Sequence, residues 1–114
     1  MIKSISLLVR KPELTHQQFV EHWMNIHAPL AHAVPGLRRY VQSHIVAERT
    51  RPDIATLDVE IDGIAELWFD DLAALKLSNS SPEARILYDD SATFIGTIKT
   101  FTIEEKVVVP RQPS

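Results

Sequence analysis

Residues 15–40, THQQFVEHWMNIHAPLAHAVPGLRRY, predict a helix followed by a strand and contain four of the five histidines in the chain. Thr15 and Gln18 form a capping-box pattern, in which each side chain satisfies a backbone amide of the other residue. Apolar residues then recur at helical spacing and predict one stripe that faces a core: Phe19, Trp23, Ile26 and Leu30. We therefore expect one helix over residues 15–33 that packs by this stripe.

Pro29 interrupts the helical pattern. A proline inside a helix removes one amide donor and crowds the carbonyl four residues earlier, which belongs to Asn25. The helix should therefore bend or restart around His27, whose side chain is expected on the flank of the stripe, half buried beside Trp23. Such a bend predicts one wall of a pocket. The other histidines of this stretch are expected at the surface or rim: His16, His22 and His32.

The composition indicates one globular domain of 114 residues, with 45% hydrophobic and 24% charged residues. A net charge of -3 and the lack of a basic run argue against a nucleic-acid partner. No apolar run approaches the roughly 20 residues of a membrane span, and no signal peptide follows Met1. A cytoplasmic location is the expectation. The chain has no cysteine, which excludes disulfides, thiolate metal sites and a cysteine nucleophile.

The remaining elements alternate between strand and helix patterns. Strands are predicted at residues 2–9, 37–47, 63–69 and 97–109, with a loop at 48–62. Asp70 is expected to cap a short helix through residue 77, and Ser81 with Pro82 starts another helix, from which Ile86, Leu87 and Phe94 should face inward. The order βαββαβ predicts an α+β, ferredoxin-like fold: a four-stranded antiparallel sheet with helices on one face. Residues 1–109 should form this domain and 110–114 a flexible tail.

The two faces of the predicted sheet differ in their cover. Helices protect one face only, yet apolar side chains also point to the other: Val41, Ile45, Ile64 and Trp68. An exposed apolar patch of that size is unfavourable in a monomer. We therefore expect a homodimer that packs sheet against sheet.

Two side chains in the opening stretch have the chemistry of a proton-transfer site. The pKa of an unperturbed histidine is near neutral, so His27 can act as a general base or acid. Tyr40 can donate a hydrogen bond to a carbonyl oxygen that gains negative charge. The structural alternatives stay open: His27 could cap the free carbonyl at the Pro29 bend, and Tyr40 could be a core tyrosine. His44 is a weaker candidate on the second strand.

A resident metal or cofactor is not expected. His22, His27 and Glu66 are the candidate metal ligands, but the spacing of the two histidines does not suit a shared ligand face, and no histidine stands out as a haem ligand. The acidic pairs are expected to be solvated charges: Asp89 with Asp90, and Glu104 with Glu105.

The blocks KPELTHQQF, HAPLA, PGLRRY, ELWF and FIGTIKTF resemble the EthD family of dimeric α+β-barrel proteins over nearly the whole chain. This resemblance implies the ferredoxin-like fold, the sheet-to-sheet dimer and a pocket between sheet and helices in each subunit. The family is associated with the degradation of fuel ethers alongside a cytochrome oxygenase system, which implies an oxidoreductase role as one alternative.

The second half of the chain is also similar to the methylmuconolactone methylisomerases, which are cofactor-free isomerases of lactones. That similarity implies pocket positions for His27 and Tyr40. It departs at Leu67, where those enzymes have a cysteine, and in residues 48–62, which lack their pocket histidine. The similarity also implies the residues that should line the pocket: Trp23, Gln42, His44, Leu67, Phe69 and Phe94.

The favoured hypothesis is a cofactor-free enzyme that acts by proton transfer on a small lactone, cyclic ketone or aromatic-derived intermediate, with His27 and Tyr40 as catalytic groups. An isomerase or lyase is favoured. The alternatives are an EthD-type oxidoreductase or cofactor-independent monooxygenase component, and a non-catalytic binder of a hydrophobic intermediate. The expected partners are a small-molecule substrate and a second copy of the chain.

Overall fold

The computed structural model describes residues 1–113 and confirms the ferredoxin-like fold. Its elements, in chain order, are β1 (Ile2–Arg10), α1 (His16–His22), a π-turn (Trp23–His27), α2 (Ala28–Ala31), β2 (Arg39–His44), β3 (Gly63–Phe69), α3 (Leu72–Asn79), α4 (Pro82–Phe94) and β4 (Ile95–Glu104). The strands form one antiparallel sheet in the order β2-β3-β1-β4. The helices lie on one face of this sheet and enclose the core.

The first helix begins at the predicted capping box. The Gln18 amide donates to the Thr15 hydroxyl at 3.1 Å, and the Thr15 amide donates to the Gln18 side-chain oxygen at 2.8 Å. The predicted restart around His27 takes the form of the π-turn, in which the Ala28 amide donates to the Trp23 carbonyl five residues earlier. This wider turn comes just before Pro29, whose ring would crowd a regular helix there.

The π-turn changes which side chains face the core. The prediction for Ile26 is wrong, because its side chain is 54% exposed, and His27 is only 7% exposed instead of half buried. A π-turn uses more residues per rotation than an α-turn, so the third residue after Trp23 falls short of the core face and the fourth reaches it. The stripe therefore continues from Trp23 to His27 and Ala31.

The main core cluster joins the first helix to the sheet and to α4: Leu8, Phe19, Trp23, Ala65 and Phe94. Gly63 makes room for it, because a Cβ there would lie 2.5 Å from the Trp23 ring. Ser81 caps α4 with Pro82 in the first turn, as predicted. Leu87 and Phe94 face inward, but the prediction for Ile86 is wrong: it is 56% exposed, on the side of α4 away from this face.

Several predicted boundaries shift. Asp71, not Asp70, caps α3 by accepting from the Ala74 amide at 2.8 Å, while Asp70 forms an ion pair with Arg38. Strand β2 is shorter than residues 37–47, and β4 covers Ile95–Glu104 instead of 97–109 because pairing with β1 ends where β1 begins. Residues 105–113 form no helix or strand. The predicted tail includes Ser114, which lies outside the described residues.

The sheet face opposite the helices, here called the open face, mixes apolar and paired charged side chains: Lys3, Ile5, Leu7, Val41, Ile64, Glu66, Trp68, Phe101 and Ile103. Lys3 forms an ion pair with Glu66 at 2.8 Å, and the Trp68 indole N–H donates to Glu105 at 2.7 Å. Glu105 is therefore not a free solvated charge. Across residues 1–113, helices of the length and hydropathy needed to cross a membrane are absent.

Candidate active site

A cavity of about 560 Å³ lies between the helices and the sheet. Its floor is formed by side chains of all four strands, among them Ser4, Ser6, Tyr40, Leu67 and Thr100. The first helix, α3 and α4 supply its walls. Most of the surface is apolar, and the polar groups are concentrated at a few positions, which is typical of a small-molecule site.

The structure places five of the eight predicted site residues on the cavity lining: Trp23, His27, Tyr40, Leu67 and Phe69. The other three lie behind that lining. The Phe94 ring packs against the ring of His27, with centroids 5.1 Å apart. Gln42 hydrogen-bonds to Tyr40, and the His44 ring stacks on Trp23 at 4.7 Å. These three side chains support the lining residues and are not placed to touch a ligand in the cavity.

His27 is held by Asp90 of α4. The distance from His27 Nδ1 to Asp90 Oδ2 is 2.8 Å. An ionised carboxylate only accepts hydrogen bonds, so Nδ1 carries the proton and Nε2 carries the free lone pair. Within residues 1–113, Nε2 has no hydrogen-bond partner, and it is the nitrogen left for a ligand.

Burial lowers the pKa of His27 below its usual 6.5, although the hydrogen bond to Asp90 partly opposes this effect. The nearby His22 lowers the pKa of His27 further, since two positive rings would repel each other. The neutral imidazole therefore predominates at neutral pH. A neutral ring with a free Nε2 can accept a proton, and the Asp90 carboxylate can then stabilise the imidazolium that forms.

Asp90 is the site residue that sequence reasoning missed. The prediction that Asp90 is a solvated charge is wrong, because its side chain is only 14% exposed and also bonds His22 Nε2 at 3.0 Å. Asp89 is 67% exposed, as expected. A signal was available, because Asp90 lies three residues after Leu87 and four before Phe94, on the inward stripe of α4.

Tyr40 is oriented by Gln42. The Gln42 amide nitrogen donates to the Trp23 carbonyl at 2.9 Å and to the Tyr40 hydroxyl oxygen at 2.8 Å. Because a carbonyl only accepts, the Trp23 contact fixes which end of the amide faces Tyr40. The Tyr40 oxygen therefore accepts, and its own hydrogen stays free to donate.

Burial raises the pKa of Tyr40, partly opposed by the Gln42 hydrogen bond, so the phenol keeps its proton. The indole N–H of Trp23 lies near this hydroxyl but makes no hydrogen bond of normal geometry within residues 1–113. A buried donor without a partner costs stability unless a ligand or water satisfies it. Because the Trp23 side chain is fully buried, its N–H cannot reach a ligand, and the Tyr40 hydroxyl is the donor available on the cavity lining.

The candidate metal ligands are not brought together. Glu66 lies on the open face, paired with Lys3, while the side chains of His22 and His27 contact Asp90 on the helical side. Within the described part of the chain, no group of three or more histidine, aspartate or glutamate side chains is arranged to hold a metal ion.

Comparison with known proteins agrees with this architecture. Residues 11–98 match the family model described as the EthD domain. The chain is 30% identical over 108 residues to a 4-carboxymethyl-4-methylbutenolide mutase of Pseudomonas reinekei, covering 94% of this chain and 100% of the mutase. This similarity supports an enzyme of the isomerase type.

Two solved structures give the same result for the fold. An EthD-family protein from Bacillus halodurans superposes with a TM-score of 0.75 at 30% identity, covering 93% of this chain and 99% of the other. A protein of unknown function from Thermobifida fusca, described as a dimeric ferredoxin-like protein, gives a TM-score of 0.66 at 16% identity, covering 90% of this chain and 88% of the other. The match over residues 11–98, together with the similarity to the Bacillus halodurans protein, shows that the chain belongs to the EthD family.

Proposed function

We propose that the protein is a cofactor-free isomerase that moves a proton on a small unsaturated lactone of the butenolide class. The observation that carries this proposal is the pairing, on one cavity lining, of a neutral histidine with a free Nε2 and a phenol with a free hydrogen. The similarity to a butenolide mutase supports the reaction class and the choice of substrate.

The proposed reaction uses groups that the chain itself provides. On a lactone with a carboxymethyl substituent, His27 Nε2 removes a proton from the methylene of that substituent. The C–H electron pair forms a new double bond to the ring carbon, and the bond from that carbon to the ring oxygen breaks. Tyr40 donates to the carboxyl group of the opening lactone, which stabilises the negative charge where it develops. The imidazolium then returns the proton to the carbon next to this carboxyl group while the carboxylate of the substituent adds to the adjacent carbon, so that a new, isomeric lactone ring closes. No electrons are gained or lost overall.

The cavity suits such a substrate in size and polarity. A volume of about 560 Å³ exceeds that of a five-membered ring with short substituents, and the Leu67 and Phe69 side chains offer an apolar surface to it. The buried position of His27 also keeps bulk water from competing for its Nε2.

Deuterium exchange tests this proposal directly. The protein is incubated in D₂O with 4-carboxymethyl-4-methylbutenolide, the substrate in the name of the mutase, and deuterium uptake and isomer formation are followed by NMR. Wild type should catalyse exchange. His27→Ala should abolish it, Tyr40→Phe should slow it about 100-fold, and the exposed His32→Ala should leave it unchanged.

Two results would contradict the proposed activity or the role of His27 in it. Binding of the lactone without exchange in wild type would favour a non-catalytic binder. Exchange that persists in His27→Ala would remove His27 from the chemistry and return it to a structural role against Asp90.

We further propose that the protein forms a homodimer through the open face. The half-buried apolar side chains of this face have no helix packed over them within residues 1–113, because the helices occupy the other face. A two-fold axis would let the same patch on two copies cover itself. The description of the Thermobifida fusca relative as dimeric supports this arrangement.

A further inference from the structure

A row of hydroxyl groups crosses the cavity floor, and the proposed reaction does not use it. It consists of Ser4 and Ser6 on β1 and Thr100 on β4, and we call it the hydroxyl floor. Ser6 and Thr100 are direct partners in the β1–β4 register, and their hydroxyl oxygens are 2.8 Å apart. Ser6 is only 8% exposed, although its neighbours Leu8 and Ala65 on this face are apolar.

The hydroxyl floor is separated from the catalytic groups by an apolar strip. Tyr40 is paired with Leu67 of β3, and Leu67 is paired in turn with Ser4 of β1. Two strand spacings, roughly 10 Å, therefore separate Tyr40 from Ser4 along the floor. The cavity is polar at Tyr40, apolar at Leu67 and polar again at Ser4, so it fits a ligand with two polar ends.

The hydroxyl floor contains O–H donors that its own hydrogen bonds do not use. A hydroxyl donates once and accepts twice, so the contact between Ser6 and Thr100 uses one of their two hydrogens. Ser4 makes no side-chain hydrogen bond within residues 1–113. Two O–H groups thus remain to donate into the cavity. A stabilising cross-strand pair between Ser6 and Thr100 alone would leave the position of Ser4 unexplained.

We propose that the hydroxyl floor is a second subsite, which binds an oxygen-bearing substituent of the substrate while the ring carbonyl lies at Tyr40. This inference rests on the proposed function, because it assumes that a lactone occupies the His27 end. The substituent can be a carboxylate or a hydroxyl, since both accept from neutral O–H donors. Thr100 is exposed, so a carboxylate bound there would keep part of its hydration.

Calorimetry with three butenolides tests the subsite. The three ligands share a butenolide ring with a methyl group at C4. They differ in the second substituent at C4, which is carboxymethyl, hydroxyethyl or methyl. Wild type should bind the two oxygen-bearing ligands about 10-fold more tightly than the dimethyl compound. The double variant Ser6→Ala/Thr100→Val should lose that preference and still bind the dimethyl compound with an affinity within about 3-fold of wild type.

Two further variants separate binding from stability. Ser4→Ala removes a floor hydroxyl that has no protein partner, so it should reduce the preference even if the double variant is too unstable to measure. Ser43→Ala, on the open face, should leave all three affinities unchanged. The contrast distinguishes a ligand contact from a general loss of packing.

The results also distinguish this inference from the proposed function. Equal wild-type affinity for all three ligands would overturn the subsite, even if deuterium exchange is observed. A clear preference that Ser4→Ala removes would support the subsite, even if no exchange occurs. Failure to bind any of the three would overturn both.

Discussion

Asp90 accepts a hydrogen bond from His27 at 2.8 Å and thereby decides which ring nitrogen of the histidine is free. Asp90→Asn keeps the size of the side chain but offers Nδ1 an amide hydrogen, which favours the tautomer with the proton on Nε2. We expect exchange to slow at least 10-fold with little change in thermal stability. Asp89→Asn is the matched control, since Asp89 is exposed and its side chain bonds only Arg85 among residues 1–113. Equal rates in both variants would show that Asp90 does not orient the base.

The pH dependence of exchange should report His27. Because burial lowers its pKa, the rate should rise with pH through a midpoint below 6.5 and then level off, as the neutral ring is the active form. The fold should also lose stability as the pH falls below about 6.5, where the unfolded histidine binds the proton more tightly.

A second variant tests whether the midpoint of the rate profile belongs to His27. His22 lowers the pKa of His27, so His22→Gln should move the midpoint of the rate profile to higher pH. A midpoint that stays in place would mean that another group controls the acid limb.

Gln42 should act through Tyr40 without touching the ligand. Gln42→Glu replaces the donating amide with a group that only accepts, so the Tyr40 hydroxyl would donate to the new carboxylate and lose its free hydrogen. We expect kcat to fall about 10- to 100-fold, with KM changed less than 3-fold. Gln17→Glu, on the exposed side of α1, should match wild type. A purely higher KM in Gln42→Glu would instead indicate a binding role.

The proposed dimer predicts a strong effect at the centre of the open face. Ile64 lies on β3 opposite Leu7 of β1, in the middle of the sheet. Ile64→Lys would place a charge in a packed interface, and light scattering at micromolar concentration should shift from the dimer mass to the protomer mass of 12.9 kDa. Ile26→Lys, at a position that is 54% exposed on the helical side, should stay dimeric. A wild-type monomer would contradict the proposal.

Gly63 and Trp23 should behave as a coupled pair in stability measurements. Gly63→Ala would place a methyl group 2.5 Å from the Trp23 ring, which should cost about 2 kcal/mol of unfolding free energy. Trp23→Phe also destabilises the core, but its smaller ring relieves the contact. Denaturation of the double variant should therefore show less destabilisation than the sum of the single variants. Simple additivity would exclude the close contact.

The parts of the fold that depend on short-range patterns could be predicted from the sequence. Alternation of side chains across a strand has a fixed period of two, so the bounds of β3 and the separation of Leu67 from Trp68 were predicted correctly. The capping box at Thr15 is likewise a local interaction. These features need no knowledge of the partner elements.

The candidate site was predicted less completely, because its hydrogen bonds join elements that are distant in sequence. The contact between His27 and Asp90 spans 63 residues, and the contact between Gln42 and the Trp23 carbonyl spans 19. Charge pairs in a sequence usually indicate solvated positions, which concealed the inward placement of Asp90. The catalytic roles of His27 and Tyr40 stay predictions that the exchange experiment tests.

Because of the π-turn, the geometry of this site depends on the number of residues between Trp23 and His27 as well as on their identity. Such a turn accommodates one residue more than an α-helix does, and the helix on either side keeps its orientation. A protein of this family with one residue fewer between Trp23 and His27 could therefore keep the same fold with a straight helix. The Trp23 carbonyl, which accepts from both the Ala28 amide and Gln42, would then accept from the amide one residue earlier, and its contact with Gln42 would no longer restrain Tyr40 in the same way. In an alignment, a one-residue gap at Met24 or Asn25 would identify relatives in which the tyrosine at the position of Tyr40 is less firmly oriented towards the ligand.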